Sequence, residues 1–127
     1  MFYRRMLKSK IHRARVTHAD LDYEGSITIA PELLIAANIL PYEAVHIWNV
    51  TAGTRFETYA IEGAANSSHI CVNGAAAHLV TLGDIIIIAS FIQLADELCS
   101  TYLPKAIFVD AHNRIKETRA EVATLTD

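Results

Sequence analysis

The sequence lacks most of what would mark a crosslinked, metal-bound or membrane-spanning chain. It has two cysteines, Cys71 in an apolar stretch and Cys99 in a polar one, with no C-x-x-C spacing. Reduced thiols are therefore expected rather than a disulfide or zinc framework. Its six histidines are scattered and none pairs with another at i, i+4, so no metal is expected. The apolar run IIIIA at 85–89 falls far short of the roughly 20 residues of a membrane helix. It reads as a strand buried on both faces. No apolar segment or small-residue cleavage site follows the start MFYRRMLKSK, so no secretory signal is expected and the cytoplasm is the simplest location. There is no G-x-S-x-G elbow, and NGAAA at 73–77 has one glycine and is no phosphate loop. Its small side chains do allow a ligand to approach the backbone closely.

Acidic residues are missing from the first 19 positions, where Arg4, Arg5, Lys8, Lys10, Arg13 and Arg15 supply six of the eleven Lys and Arg residues. The simplest reading is a solvated edge strand guarded by charge. Attraction of an anionic small molecule is a sharper one. Nucleic acid is disfavoured, because no aromatics are interleaved with the basic residues and the rest of the chain is acidic.

At 127 residues, with 52% hydrophobic and 20% charged residues, the chain is the size of one domain. Its apolar balance suggests surface shared with other copies of itself. Short strands dominate: IHRARVT at 11–17, SITIA at 26–30, SHICVN at 68–73, DIIIIASFI at 84–92 and PKAIFVD at 104–110. PELLIAAN at 31–38 reads as a short helix with proline at its first position, and QLADEL at 93–98 as a helical turn. EAVHIWNV and RFETYAI, joined by TAGT, form the clearest hairpin. At least six strands in so short a chain predict a mainly β fold closed as a barrel, with short helices.

Two features invite chemistry. In the hairpin, period-2 alternation puts Arg55, Glu57 and Tyr59 on one face and Phe56 and Thr58 on the other. An arginine and a tyrosine sharing a face can hold a carboxylate and deliver a proton, though such a pair is usually only a half-exposed strand face. The other feature is Gly25-Ser26, within DLDYEGSITIA at 20–30. Read by itself it is an ordinary turn.

Four stretches in order, KSKIHRARVTHADLDYEGS at 8–26, IWNVTAGTRFETYAI at 47–61, VNGAAAH at 72–78 and GDIIIIASF at 83–91, closely resemble the bacterial aspartate 1-decarboxylases, pyruvoyl enzymes of pantothenate synthesis. The resemblance implies a six-stranded double-psi β-barrel in one domain, 1–127. It also implies self-cleavage between Gly25 and Ser26 into a small chain, 1–25, and a large chain, 26–127. Ser26 would attack the Gly25 carbonyl and end as a covalent pyruvoyl group, with no metal. The absence of a Cβ on Gly25 is expected to admit the attack and the strained backbone it needs. The pyruvoyl ketone would take L-aspartate as a Schiff base and accept the electrons left when carbon dioxide departs, giving β-alanine.

The same resemblance assigns Tyr59 as proton donor and Thr58 to self-cleavage and substrate binding. It makes Arg55 a carboxylate clamp and Asn73 a polarising group. Lys10 and Trp48 would line the pocket, with backbone at Gly74, Ala75 and Ala76 touching substrate. A homotetramer with sites between subunits is implied, and neither nucleic acid nor membrane as a partner. Thr58 and Tyr59 fall on opposite faces, so a bulge, a strong twist or a neighbouring subunit must reconcile them. The alternative is an uncleaved barrel of the same kind serving as a binding module for a protein or nucleic acid through the basic N-terminal stretch.

Overall fold

The computed structural model describes residues 1–121; residues 122–127, the end of the tail, lie outside the described residues. Strands alternate with a few short helices: β1 (Tyr3–Arg15), β2 (His18–Asp20), β3 (Ser26–Ile29), α1 (Pro31–Ala37), β4 (Ala44–Asn49), β5 (Arg55–Glu62), β6 (Ile70–Asn73), a 3-10 helix (Gly74–Leu79), β7 (Ile85–Ala95), α2 (Asp96–Cys99), β8 (Lys105–Val109) and β9 (Ile115–Ala120). Proline opens α1, where no N–H is needed. Asn38 ends that helix in the left-handed region at φ 55°, and Ile39 N–H then donates back to Leu34 O at 2.9 Å.

The strands run in the order β2-β6-β3-β5-β4-β7-β1-β8-β9. Among the described residues that is nine strands where six are expected, and the difference has a simple cause. Only Val16 and Thr17 separate β1 from β2. Thr17 N–H donates to Ile70 O at 2.9 Å, and Ile70 N–H donates to Thr17 Oγ1 at 2.9 Å. The ladder that starts at β2 therefore returns to the same stretch of chain at β1. Taken as one broken strand, β1–β2 joins β3, β4, β5, β6 and β7 in a closed ring of six. The hairpin β8–β9 is added outside the ring, along Ser9–His12 of β1. Within the ring β2–β6 and β3–β5 are parallel and the other pairs antiparallel. The mainly β, double-psi class expected from the resemblance fits this mixed connectivity.

The ring is filled by fully buried side chains, among them Ile11, Ile27, Ile47, Ile70, Val72 and Ile88. Each contributes roughly 1.5–3 kcal/mol by leaving water. In β7, Ile86 and Ile88 are fully buried while Ile85 and Ile87 are only half-buried. The run expected to be covered on both faces thus faces the core with one side only, as barrel strands do.

Other local expectations are also corrected. Gln93 to Ala95, read as helical, continue β7, because Tyr3–Met6 of β1 pair with Ile92–Ala95; only Asp96 onward turns into helix. The basic N-terminal strand is an edge only in part: β1 follows β7 from Tyr3 to Arg15, but β8 covers it over Ser9–His12 alone. Three of its six cations meet acids, with Arg4–Asp96 at 2.6 Å, Lys8–Glu43 at 2.6 Å and Lys10–Glu121 at 3.1 Å. Burial pushes the Glu43 carboxyl upward, but hydrogen bonds from Lys8, Ser90 and the Leu40 N–H outweigh it and hold the group below its ordinary value.

Candidate active site

The register of three neighbouring strands builds the site. Ser26 of β3 pairs with Asn73 of β6, and Thr28 with Cys71. On the other side of β3, Ile27 pairs with Ala60 of β5. Ile27, Ile29, Ala60, Ile70 and Val72 all face the core with no exposed surface. Alternation then turns Ser26, Thr28, Tyr59, Cys71 and Asn73 to the outer face of the barrel.

Although it faces outward, Ser26 is only 1% exposed and Asn73 only 3%. The serine hydroxyl donates to Glu24 O at 3.2 Å and accepts from Asn73 Nδ2 at 3.0 Å. The same amide nitrogen donates to Thr28 Oγ1 at 3.1 Å, while Asn73 Oδ1 accepts from Cys71 Sγ at 3.0 Å. Every polar atom of the Asn73 side chain thus has a partner, which fixes the amide's orientation. Burial, and then the charge of Asp20, push the Cys71 thiol above its ordinary value. It therefore stays protonated and able to donate.

Ser26 lies in the floor of a cleft of about 520 Å³ shared with Tyr23, Glu24, Pro41, Tyr42, Tyr59, Ile61 and Glu62. Gly25 is exposed, so the Gly25–Ser26 bond lies at the boundary between solvent and the buried hydroxyl. The cleft walls carry two carboxylates, Glu24 and Glu62, and no lysine, arginine or histidine. Gly25 is not in the left-handed region, and a Cβ there would meet nothing within 4 Å. Gly74, opposite it, has φ +73° and no room for a Cβ.

The other expected binding residues lie apart. Arg55 is exposed and stands four residues along β5 from Tyr59, about 13 Å at strand rise. Its guanidinium lies over Trp48, 5.3 Å from the ring centroid. Trp48 in turn meets Phe91 edge-on, with centroids 6.3 Å apart. Arg5 lies over Phe91 at 5.0 Å and donates to His46 Nε2 at 2.8 Å, and that nitrogen is 3.0 Å from Glu57 Oε2. Lys10 is held by Glu121. Together these form a cationic, aromatic patch over β5, β4, β7 and β1, outside the cleft.

The structure therefore gathers Ser26, Gly25, Asn73, Gly74 and Tyr59, and leaves Arg55, Trp48 and Lys10 elsewhere. Ala75, exposed, and Ala76, half-buried, follow Gly74 in the 3-10 helix. Thr58 faces inward opposite the fully buried Val45, and the β4–β5 ladder runs from Ala44↔Tyr59 to Trp48↔Arg55 without a bulge. A bulge in this ladder is thus excluded as the way to bring Thr58 and Tyr59 together. Tyr23, Tyr42 and Glu62 line the cleft without having been expected. Tyr42 is placed there by a positive φ of 74° and by its N–H donating to Ala60 O at 2.7 Å, neither of which periodicity reveals. Among the described residues no group of three or more His, Cys, Asp or Glu side chains is arranged to hold a metal, and no helix is long and apolar enough to cross a membrane.

Comparison with known proteins gives a consistent result. Residues 2–116 match the family described as aspartate decarboxylase. Aspartate 1-decarboxylase from Legionella pneumophila (strain Lens) is 71% identical over 95% of this chain and 91% of its own length. The enzyme of that name from Rhodopirellula baltica is 54% identical over 95% of this chain and 78% of its own. That from Myxococcus xanthus is 54% identical over 87% and 85%. Among solved structures, the rationally designed mkDPBB_sym_86 protein matches 61% of this chain and 90% of its own at 9% identity and a TM-score of 0.47, a likeness too slight to bear on the site.

Proposed function

The chain belongs to the aspartate decarboxylase family, and from that premise we propose that it cuts its own Gly25–Ser26 bond and then decarboxylates L-aspartate to β-alanine and carbon dioxide. In the cell this would supply β-alanine to pantothenate synthesis in the cytoplasm. The observation that carries the reading is the Ser26 hydroxyl. It is buried, held between the Asn73 amide and the Glu24 carbonyl, and placed in a cleft with Tyr59.

The cleavage follows from these atoms. Ser26 Oγ attacks the Gly25 carbonyl carbon, and its proton passes to the Ser26 nitrogen as the C–N bond breaks, leaving an ester. Loss of the Ser26 Cα proton and of the Cβ–O bond releases residues 1–25 with a carboxylate end. Residue 26 is left as dehydroalanine, which water converts to a pyruvoyl group with release of ammonia. The surroundings fit that group, since residue 26 opens on the cleft and is backed by the Asn73 N–H donors. Once formed, the group supplies an electron sink conjugated with the backbone carbonyl, which accepts the electrons released with carbon dioxide.

The remaining tasks fall to the chain's own residues. Tyr59 donates the proton that replaces the lost carboxylate. Asn73 holds the reacting end of the substrate, and backbone at Gly74, Ala75 and Ala76 borders it. Aspartate carries two carboxylates, yet the cleft walls have no cation and two acids. We therefore assign the clamp to Arg55, with Lys10 and Trp48 beside it, from a second copy in a homotetramer whose sites lie between subunits.

The test is intact mass on the denatured protein together with β-alanine release. Two fragments, 1–25 and 26–127 with a blocked first residue, are expected alongside activity. Ser26→Ala is expected to give one chain and no product, because no hydroxyl remains to begin the acyl shift. A wild-type chain that stays whole after long incubation, or turnover by verified full-length Ser26→Ala, would end the reading.

A further inference from the structure

We propose that Gly74 is a positioning residue for self-cleavage: its missing side chain is the socket in which the backbone of Gly25 sits, setting the carbonyl that Ser26 attacks. The inference rests on the cleavage reading given above. It concerns a step before substrate binding and a residue that does not react.

The β3–β6 ladder ends at Ser26↔Asn73, so its next step sets Gly25 against Gly74. A Cβ on Gly74 would stand 2.7 Å from Gly25 Cα, 2.8 Å from Gly25 N and 3.0 Å from Tyr23 O. All three are backbone atoms, which cannot rotate away as the end of a flexible side chain can. Any side chain at 74 must therefore push the 23–25 segment outward, with the scissile carbonyl at its end. Asn73, meanwhile, keeps hold of the Ser26 hydroxyl at 3.0 Å. Two consecutive residues thus hold the two halves of the reacting pair, Asn73 the nucleophile and Gly74 the residue that bears the electrophile. Displacing one and not the other separates the reacting atoms, and misplacement by about 1 Å costs such a reaction on the order of a hundredfold.

A positive φ alone would also penalise alanine at 74. The chain supplies controls for that cost. Gly53 (φ +78°) and Gly83 (φ +89°) share the backbone conformation, and a Cβ at either would meet nothing within 4 Å. Gly74→Ala, Gly53→Ala and Gly83→Ala therefore all bear the conformational penalty, but only the first touches Gly25.

The experiment follows cleavage of the three variants and wild type by intact mass, with hydroxylamine added to trap any ester. Gly74→Ala is expected to slow cleavage about a hundredfold or more and to show no hydroxylamine-sensitive ester, while Gly53→Ala and Gly83→Ala cleave near the wild-type rate. Backbone amide NMR shifts are measured in parallel in the uncleavable Ser26→Ala background. There, adding Gly74→Ala is expected to move the Glu24 and Gly25 amide shifts, and adding Gly83→Ala to leave them unchanged. Equal slowing in all three glycine variants would overturn the proposal, as would an accumulating ester in Gly74→Ala. A Gly74→Ala chain that fails to fold while Gly83→Ala folds would overturn it too, since the contact would then support the barrel and not the cleavage segment. If wild type itself stays whole, the cleavage reading fails. The shift measurement still decides whether Gly74 seats Gly25.

Discussion

Two patches on the same outer face of the barrel are built from opposite materials. The Ser26 cleft holds a hydroxyl, an amide, three phenols and two carboxylates, with no cation in its walls. The patch around Arg55 has Arg5, His46, Trp48 and Phe91 in mutual contact and Lys10 nearby, but no buried nucleophile. One has the means to make and use an electrophile, the other the means to hold an anion. Neither is a complete site for a dicarboxylate. Arg55 and Tyr59 share strand β5, about 13 Å apart at strand rise, and the Arg55 guanidinium lies over Trp48 and not in the cleft. If both patches serve one dicarboxylate, the unit of function is larger than the unit of folding.

The largest expected effect separates the patches by step. Tyr59→Phe should leave cleavage at wild-type speed, since the ring still packs, but lower kcat by roughly 10²–10⁴ through loss of the proton donor. Intact mass and turnover measured on the same preparation check this. A fully cleaved Tyr59→Phe enzyme with unchanged kcat would remove Tyr59 from the chemistry.

A smaller effect belongs to the other patch. Arg55→Ala should cleave normally and raise KM for aspartate about 10- to 100-fold, the worth of a charge-assisted contact to a carboxylate. kcat should fall less than KM rises. Saturation curves for the fully cleaved variant decide it. An unchanged KM would make the stacking of Arg55 on Trp48 a structural contact only.

The sequence made the two patches unequally legible. Alternation along RFETYAI correctly set Arg55 and Tyr59 on one face and Thr58 on the other, because one face of a barrel strand is always core. The ring itself was legible as a class. Its closure was expected too, but not the contact that makes it, Thr17 meeting Ile70 across 53 residues. β9 was missed because IKETRA is polar almost throughout, and its strand character comes from pairing with β8. At the cleft, the significance of Gly25-Ser26 came from resemblance. The crowding that demands a missing Cβ acts at Gly74, 49 positions away in sequence and visible only once β3 and β6 are paired. Local pattern reports which face a residue takes. It does not report which backbone lies against it.

The smallest effect is the one that joins the patches. Ser26→Ala lacks the reactive group and keeps Arg55; Arg55→Ala lacks the clamp and keeps Ser26. If each site takes residue 26 from one chain and Arg55 from its neighbour, co-expressing the two in equal amounts should restore about one site in four to wild-type composition. The gain should be measured at low aspartate, where Arg55→Ala alone is nearly silent and a restored site is not. Mass spectrometry of the intact oligomer must show both chains together. A mixed oligomer with aspartate affinity near wild type and about a quarter of its activity means the two patches face each other across a subunit boundary. A mixed oligomer no more active than its Arg55→Ala content means that Arg55 does not complete a neighbour's cleft. The cation that the Ser26 cleft lacks must then come from elsewhere, and the division between the patches would be one of structure and not of labour.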